Sequence, residues 1–258
     1  MYLGVEIGGT KLQAGVCDAR GRVKRIVRLP VVRQAGRAGI LRQLQMVIPD
    51  LLTGVRAIGV GFGGPVDVET GRVVKSHQVA GWSWFELKKW FRREFGLPVV
   101  VENDSNCAGL AEARLGAGKG KRRVLYFNVG TGIGGALVLD GEIYNGRFGA
   151  MELGHTWVEG RRLEEVVSGL AIERGVSTVS EAARYVGVAV ANAVTLLNPE
   201  VVVVGGGVAG AGEKFFRPLR ATVRRFVLPV FRGNFRIAPA KLGKNVVVVG
   251  AAVLAKDL

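Results

Sequence analysis

The sequence predicts an α/β fold with two related domains, each built on a mixed sheet flanked by helices. The first observation is that strand-like apolar runs alternate with helix-like segments along the 258 residues, which is typical of sheets covered by helices. The second is a strand–glycine turn–strand pattern that occurs at residues 2–17 and again at 124–144. A repeated unit of this kind indicates two similar domains that face one another across a cleft.

The first hairpin starts at the N-terminus. Tyr2–Ile7 alternates and is rich in β-forming residues, and the alternation resumes after Gly8–Lys11 through Leu12, Ala14 and Val16. The turn can be a simple tight connection, because glycine adopts positive φ at low cost. It can also cradle a phosphate, because its bare backbone N–H groups approach an anion closely. Taken alone, the turn favours the simple connection.

The remaining elements follow the same alternation. Further strands are predicted at 55–62, 97–103, 122–130, 134–141, 200–206 and 235–240. Helices are predicted at 39–52, 83–95, 105–115, 179–197, 212–227 and 246–256.

Composition excludes several classes of protein. The chain has no run of about 18 apolar residues, and Glu6 interrupts the apolar N-terminal segment. We therefore expect neither a membrane span nor a secretory signal. The expected location is the cytoplasm. The two cysteines, Cys17 and Cys107, are too few and too far apart in the sequence for a disulfide framework or a metal cluster.

The net charge of +15 raises the question of an acidic partner, with basic clusters at 88–95, 118–124 and 220–226. Such a charge can indicate a nucleic acid, a membrane surface or an acidic ligand. In the first and third clusters, however, apolar residues separate the charges as on any solvated helix face. No helix-turn-helix, zinc-finger or RNA-binding motif accompanies them, so we expect no nucleic acid and no membrane partner. A small polyanionic substrate is the alternative explanation of the charge that stays open.

Glycine motifs suggest a second class of function. Residues 130–135 read GTGIGG, but a strand follows them where a dinucleotide-binding turn requires a helix. Gly205, Gly207 and Gly210 fit that turn better, and they make a Rossmann-type NAD or FAD oxidoreductase the alternative. About twenty residues further on, where an acidic ribose ligand belongs, the sequence reads VRRFVLP. This disfavours the oxidoreductase, and the lack of G-x-x-x-x-G-K-[ST] excludes a P-loop.

Two polar segments are candidates for the chemistry. Glu102–Asn106 reads ENDSN between a strand and a helix pattern; one of these residues is expected as a helix cap, but five polar side chains exceed that need. Ligands of open α/β sheets bind beyond the carboxyl ends of strands, and a carboxylate there could accept the proton of an attacking hydroxyl. In the second segment, Glu152 and His155 could hydrogen-bond sugar hydroxyls.

The chain as a whole resembles the ROK sugar kinases, which belong to the actin-like, hexokinase-like ATPases. The matching stretches run in order: GVEIGGTK, GVGFGGPVD, GW, LPVVVENDSNCAGLAEARLGAG, VGTGIGGALVLDG, ELGH, LEEVVSGLAIER, LLNPEVVVVGGGV and GAAVLA. The resemblance implies two actin-like (ribonuclease H-like) domains that close on a sugar. It implies a small domain at 1–116, with the C-terminal helix 246–258 packed back on it, and a large domain at 117–245.

The same resemblance implies roles for individual residues. Asp104 would be the catalytic base. The sugar would be bound by Gly64, Gln78, Asn103, Asp104, Glu152, His155 and Glu164. The two phosphate turns, Gly8–Lys11 and Gly130–Gly134, and the turn against the nucleotide base would contribute Gly8, Gly9, Thr10, Lys11, Gly130, Thr131, Gly132, Gly205, Gly206 and Gly207.

Three departures from the family pattern are informative. Members commonly carry a three-cysteine zinc-binding stretch after the GH of ELGH, whereas TWVEGRRLEEVVSG has no cysteine. We therefore expect no zinc. Glu6 stands where an aspartate is usual, so any contribution to Mg²⁺ binding is altered, and Gln78 stands in the place of a sugar-contacting asparagine. We also expect no DNA-binding domain before Met1, unlike the ROK repressors.

The family resemblance therefore implies a Mg²⁺-dependent kinase that transfers the γ-phosphate of ATP to the 6-hydroxyl of glucose or a related hexose. Two alternatives within the family stay open: a polyphosphate-dependent glucokinase, which would suit the basic charge, and an N-acetylhexosamine kinase. The non-enzymatic alternative is a sugar-sensing binding module. It is disfavoured because the catalytic motif would then have no use. The family suggests a homodimer.

Overall fold

The structure is a computed structural model that describes residues 1–76, 78–146 and 149–258. Its strands are β1 (Tyr2–Ile7), β2 (Lys11–Cys17), β3 (Val23–Pro30), β4 (Ile58–Phe62), β5 (Val66–Asp67), β6 (Arg72–Val73), β7 (Val99–Asn103), β8 (Arg123–Val129), β9 (Ile133–Leu139), β10 (Glu142–Ile143), β11 (Trp157–Val158), β12 (Arg161–Arg162), β13 (Val201–Gly205) and β14 (Arg236–Pro239). Its helices are α1 (Gly36–Val47), α2 (Leu87–Phe95), α3 (Asp104–Arg114), α4 (Leu163–Val167), α5 (Gly169–Glu173), α6 (Val179–Leu197), α7 (Glu213–Phe226) and α8 (Val246–Lys256).

The first of two compact units comprises Met1–Ala111, Asn145–Gly149 and Lys244–Leu258. Its sheet has the strand order β3-β2-β1-β4-β7. The first three strands are antiparallel neighbours, and β4 and β7 run parallel to β1. Both faces of the inner strands are covered, which is why β1 and β4 are apolar almost throughout.

Glycines bring the C-terminal helix unusually close to this sheet. Helix α8 packs on β1, β2 and β4. A Cβ atom at Gly4 or Gly59 would overlap the backbone of α8, and one at Gly250 would overlap the carbonyl group of Cys107 in α3. The three glycines therefore allow backbone-to-backbone packing that no larger residue permits.

The second unit comprises Glu112–Tyr144 and Ala150–Gly243. Its sheet has the order β10-β9-β8-β13-β14 and the same sequence of directions as the first: three antiparallel neighbours, followed by strands parallel to β8. Helices α6 and α7 pack against one another over its core. The predicted α/β class with mixed, helix-flanked sheets is confirmed. The predicted domain bounds stay a prediction.

The structure differs from the predicted elements at a few places. Helix α1 ends at Val47 rather than 52, because Pro49 starts a separate 3-10 turn. Helix α2 starts at Leu87 rather than 83. Strand β3, the helices α4 and α5 and the two-residue strands were not predicted, because they are short or carry charges among their apolar residues.

The basic clusters on α2 and α7 are ordinary solvated helix faces. Leu87, Trp90 and Phe91 of α2 are buried, whereas Arg92 and Arg93 are exposed. Helix α7 likewise buries four apolar side chains, Phe215, Phe216, Leu219 and Val223, and exposes its arginines. Within the described ranges, no helix combines the length and apolar character that a membrane span requires.

Candidate active site

Three polar segments of the first unit meet at one edge of its sheet. The register pairs Ile7 with Phe62 and Phe62 with Asn103, so the parallel strands β1, β4 and β7 end side by side. The turn Gly8–Lys11 and the pair Gly63–Gly64 follow the first two strands, and Asp104 follows the third. This edge is where open α/β sheets bind their ligands.

Asp104 is the first residue of α3 and is held at the junction by its neighbours. The Asn103 side chain caps the helix: its Oδ1 accepts from the backbone N–H groups of Ser105 at 2.8 Å and Asn106 at 3.2 Å. Its Nδ2 donates to the carbonyl oxygen of Gly64 at 3.1 Å. The half-buried Asp104 carboxylate accepts from Ser105 Oγ at 3.3 Å. The predicted base therefore has a defined position.

The Asp104 carboxylate lies next to the glycine turn. A Cβ atom at Gly63 would be 3.3 Å from Asp104 Oδ2 and 3.4 Å from Gly8 Cα, so both flank the same small residue. In the turn itself, Gly8 N donates to the Lys11 carbonyl oxygen at 3.0 Å. A carboxylate and a set of backbone amides thus occupy neighbouring positions, as proton removal beside a bound phosphate requires.

Glu6 joins this turn to a polar chain behind it. Lys11 Nζ lies 3.0 Å from Glu6 Oε1, and Gln13 Nε2 donates to Glu6 Oε2. Gln13 Oε1 in turn accepts from Arg28 Nε at 2.7 Å. A carboxylate can accept about four hydrogen bonds, so Glu6 retains lone pairs for a Mg²⁺-bound water. Gln13 is not among the predicted site residues, although an amide inside the apolar strand β2 is a usable signal.

Gln78 contacts the phosphate turn. Its side chain lies directly against the α-carbon of Gly9, where any Cβ would overlap it. Arg33 Nε donates to the carbonyl oxygen of the same glycine at 2.9 Å. The exposed Gln78 is therefore in the same unit and at the same edge as Asn103 and Asp104.

In the second unit, the other two glycine segments lie side by side. Gly130–Gly132 follows β8, with Gly130 N donating to the Gly132 carbonyl oxygen at 2.9 Å and Thr131 exposed. Gly205–Gly207 ends the neighbouring strand β13. Gly206 has φ +92° and would overlap the backbone of Val129 if it carried a Cβ. Only glycine fits this contact, which joins the two predicted nucleotide-binding segments.

Glu164 supports the first of these turns. Its Oε2 accepts from the backbone N–H of Ile133 at 2.9 Å, and a Cβ at Gly132 would be only 2.6 Å from it. A Cβ at Gly154 would lie 3.3 Å from the same oxygen. Glu164 therefore links the glycine turn to the segment that carries Glu152 and His155.

Glu152 and His155 are exposed; Glu152 precedes a short 3-10 turn, Leu153–His155, which ends at His155 and whose leucine is buried. His155 N donates to the Glu152 carbonyl oxygen at 3.0 Å. The structure thus groups the predicted residues in two sets. Glu6, Gly8, Gly9, Thr10, Lys11, Gly64, Gln78, Asn103 and Asp104 lie in the first unit, and Gly130, Thr131, Gly132, Glu152, His155, Glu164, Gly205, Gly206 and Gly207 lie in the second.

We expect the protein to keep no stoichiometric zinc after washing with a chelator, and to work with Mg²⁺ alone. A structural zinc site needs about four ligands, and in the described part of the chain no three His, Cys, Asp or Glu side chains are grouped to hold a metal ion. Burial raises the pKa of the Cys17 thiol to about 11, which disfavours the thiolate that zinc binds. Elemental analysis of the washed protein checks this, and zinc that rises and falls with activity would contradict it.

Comparison with known proteins identifies the family. The model of the ROK family matches residues 2–176 and 170–258. The glucokinase of Halalkalibacterium halodurans is 30% identical over 99% of this chain and 95% of its own length. The crystal structure of a ROK family glucokinase from Streptomyces griseus, in complex with glucose and AMPPNP, superposes with a TM-score of 0.87 at 30% identity and covers 100% of this chain and 99% of that one.

The name of a third similar protein includes polyphosphate, a second phosphoryl donor besides ATP. The crystal structure of the inorganic polyphosphate/ATP-glucomannokinase from Arthrobacter sp. strain KM has a TM-score of 0.78 and 30% identity, over 98% of this chain and 97% of that one. The family match spans nearly the whole sequence and agrees with the order of the motifs from the first glycine turn to the last helix. This chain belongs to the ROK family.

Proposed function

We propose that this protein is an ATP-dependent hexokinase that phosphorylates the 6-hydroxyl of glucose. The observation that carries the proposal is the Asp104 carboxylate, which lies beside the Gly8–Lys11 turn at the carboxyl ends of three parallel strands. The similarity to glucokinases over the full chain supports glucose as the acceptor and ATP as the donor.

In the proposed reaction, Asp104 accepts the proton of the sugar hydroxyl as that oxygen attacks the γ-phosphorus of ATP. The bond from the γ-phosphorus to the bridging oxygen breaks, and ADP leaves. The N–H groups of the two glycine turns, Gly8–Lys11 and Gly130–Gly134, orient the phosphates and stabilise the charge on them. Gly205–Gly207 lies against the nucleotide base. Glu6 would help to hold Mg²⁺ through a water molecule, and the ion would supply positive charge that neutralises the phosphates.

In this proposal, polar side chains bind the sugar ring. These side chains are those of Asn103, whose amide donates to the Gly64 carbonyl oxygen, and of Gln78, Glu152, His155 and Glu164. The acceptor is tested by a panel of glucose, mannose, fructose, glucosamine and N-acetylated hexosamines with ATP and Mg²⁺. We expect the highest kcat/KM with glucose; a strong preference for an N-acetylated sugar would replace the proposed acceptor.

Polyphosphate is the second candidate donor, because a similar kinase is named for it and the chain is strongly basic. The basic segment 118–124 is the natural place to look for a polyanion track. However, Arg122 Nε is 2.5 Å from Asp140 Oδ1, and Lys121 Nζ is 3.9 Å from Glu200 Oε1. Much of the charge in this segment is therefore already paired within the protein, which favours ATP.

We expect replacement of Lys119, Lys121, Arg122 and Arg123 by glutamine to change kcat/KM for ATP less than roughly twofold, because surface charges away from a small ligand contribute little. A polyphosphate enzyme would instead lose most of its donor use, and its apparent affinity would fall steeply with salt. Arg92→Gln with Arg93→Gln on α2 is the control for a reduced net charge. Turnover with polyphosphate and none with ATP would contradict the assignment.

Two further properties complete the proposal. The enzyme acts in the cytoplasm, where its proposed co-substrate ATP is present. It forms a homodimer, which sedimentation velocity or light scattering at several concentrations would test.

A further inference from the structure

A buried glutamate lies two residues before the proposed base. Glu102 is only 4% exposed and has no assigned role in the reaction. Its Oε1 accepts from the backbone N–H of Asn103 at 2.7 Å and from Asn106 Nδ2 at 3.0 Å. These donors come from residues on either side of Asp104, so one carboxylate oxygen holds both ends of the short segment that presents the base.

The second carboxylate oxygen binds a distant part of the chain. Glu102 Oε2 accepts from Asn145 Nδ2 at 3.0 Å, although the two residues are 43 positions apart. Asn145 belongs to the first unit, whereas the preceding residue, Tyr144, belongs to the second. Asn145 Oδ1 also accepts from Asn106 Nδ2 at 2.9 Å. Glu102, Asn106 and Asn145 therefore form a closed ring of hydrogen bonds, which we call the Glu102 cluster.

The donors and acceptors in the Glu102 cluster allow one arrangement only. Both hydrogens of the Asn106 amide point at acceptors, so a flipped Asn106 would face Glu102 and Asn145 with its oxygen. Asn106 Oδ1 is buried and has no hydrogen-bond partner among the described residues. Burial raises the pKa of Glu102, and the hydrogen bonds from Asn106, Asn103 and Asn145 oppose that shift. Burying an acidic group costs free energy of folding, so the presence of Glu102 at this position points to a role other than stabilising the fold.

We propose that Glu102 is a positioning residue for Asp104, with Asn145 as its partner, so that the Glu102 cluster fixes the strand-to-helix junction in the orientation that proton transfer needs. This inference rests on the proposed function, since it takes Asp104 as the base. Small displacements matter here because a base misplaced by about 1 Å can lower a rate by roughly 100-fold. Glu102 itself acts through the backbone and side chains of its neighbours rather than on the sugar.

An exchange of groups across the Glu102–Asn145 contact tests the proposal. In Glu102→Gln, an amide nitrogen can occupy the position of Oε2 and face Asn145 Nδ2, so two donors meet. In Asn145→Asp, a carboxylate oxygen faces Glu102 Oε2, so two acceptors meet. In the double variant, the amide introduced at position 102 can donate to the carboxylate introduced at position 145, while Asn103 N and Asn106 Nδ2 keep their acceptors. The original number of hydrogen bonds is then restored.

We expect each single variant to lower kcat about tenfold or more, with KM for glucose and ATP changed less than about threefold, and the double variant to return to within about threefold of the wild-type kcat. Glu69→Gln, at an exposed glutamate, is the control and should match the wild type. A normal kcat in Glu102→Gln would overturn the proposal, as would a double variant no faster than the slower single variant. The proposal would also be overturned if the loss of kcat in each variant were matched by an equal change in KM and followed the fall in unfolding temperature.

Failure of the proposed function is separable from failure of this inference. If the wild type phosphorylates no hexose, the function is wrong. If the wild type is active but the single variants are too, only the positioning role is wrong. Thermal unfolding of the four proteins tests the contact without any activity: the double variant should be more stable than the sum of the two single effects. Strict additivity would contradict the Glu102–Asn145 contact itself.

Discussion

Asp104→Asn is expected to lower kcat by a factor of roughly 10²–10⁴, the usual contribution of a general base. Asparagine has the same shape as aspartate and can still meet Ser105 Oγ, which lies 3.3 Å from Asp104 Oδ1. It cannot, however, accept the proton of the attacking hydroxyl. The cap on α3 is made by Asn103 and is not touched by the change. The variant should therefore fold normally and bind glucose nearly as well as the wild type.

Two measurements separate this effect from misfolding. Calorimetric titration with glucose should give a Kd within about threefold of the wild type. Replacing a charged group by an uncharged one of the same shape has a small effect on binding where the hydrogen bond is kept. Asp50→Asn, at an exposed aspartate in a surface turn, is the control and should retain full activity. An Asp104→Asn enzyme with comparable turnover would remove Asp104 from the mechanism.

Gly59→Ala should lower the free energy of unfolding by about 3 kcal/mol, at the upper end of the cost of overpacking. The added methyl group would overlap the backbone of Ala251 in α8, and backbone cannot rotate away as a side chain can. For a chain of this size the change corresponds to a fall of roughly 6–12 °C in Tm. Differential scanning calorimetry and denaturant titration would measure the two quantities.

A matched glycine provides the control. Gly210 has no atom within 4 Å of the position that a Cβ would take and no positive φ. Gly210→Ala should therefore change the free energy of unfolding by less than about 0.5 kcal/mol. If Gly59→Ala unfolded at the temperature of the wild type, the close contact between β4 and α8 would be wrong.

Local patterns determined how much of the fold the sequence could predict. The two glycine-turned hairpins, β1–β2 and β8–β9, and the long helix α6 were predicted because their periodicity is strong over many residues. Strand β3 was missed because VKRIVRLP, on the edge of its sheet, is largely solvent-exposed and mixes charged with apolar residues. The helices α4 and α5, of five residues each, are too short for a clear helical period.

The candidate site likewise divides into features that the sequence could predict and features that it could not. The polar junction with Asp104 and the glycine turns stand out in the sequence, and the family resemblance supplied their roles. The contact of Gln78 with Gly9 and that of Glu102 with Asn145 could not be predicted, because no local pattern encodes which distant segments meet. A buried glutamate beside an expected helix cap looks like part of the cap until the partner from residue 145 is known.

The position of α8 has a consequence for how the protein is made. The ribosome synthesises β1 and β4 before the second unit, but it synthesises the helix that covers them, α8, after that unit. Until α8 has emerged, the apolar sheet face of the first unit lacks its cover, so this unit completes its folding only after the second unit has been synthesised. The second unit, whose segments are all synthesised before residue 244, can fold first. The usual order, in which N-terminal domains fold first during synthesis, is thereby reversed.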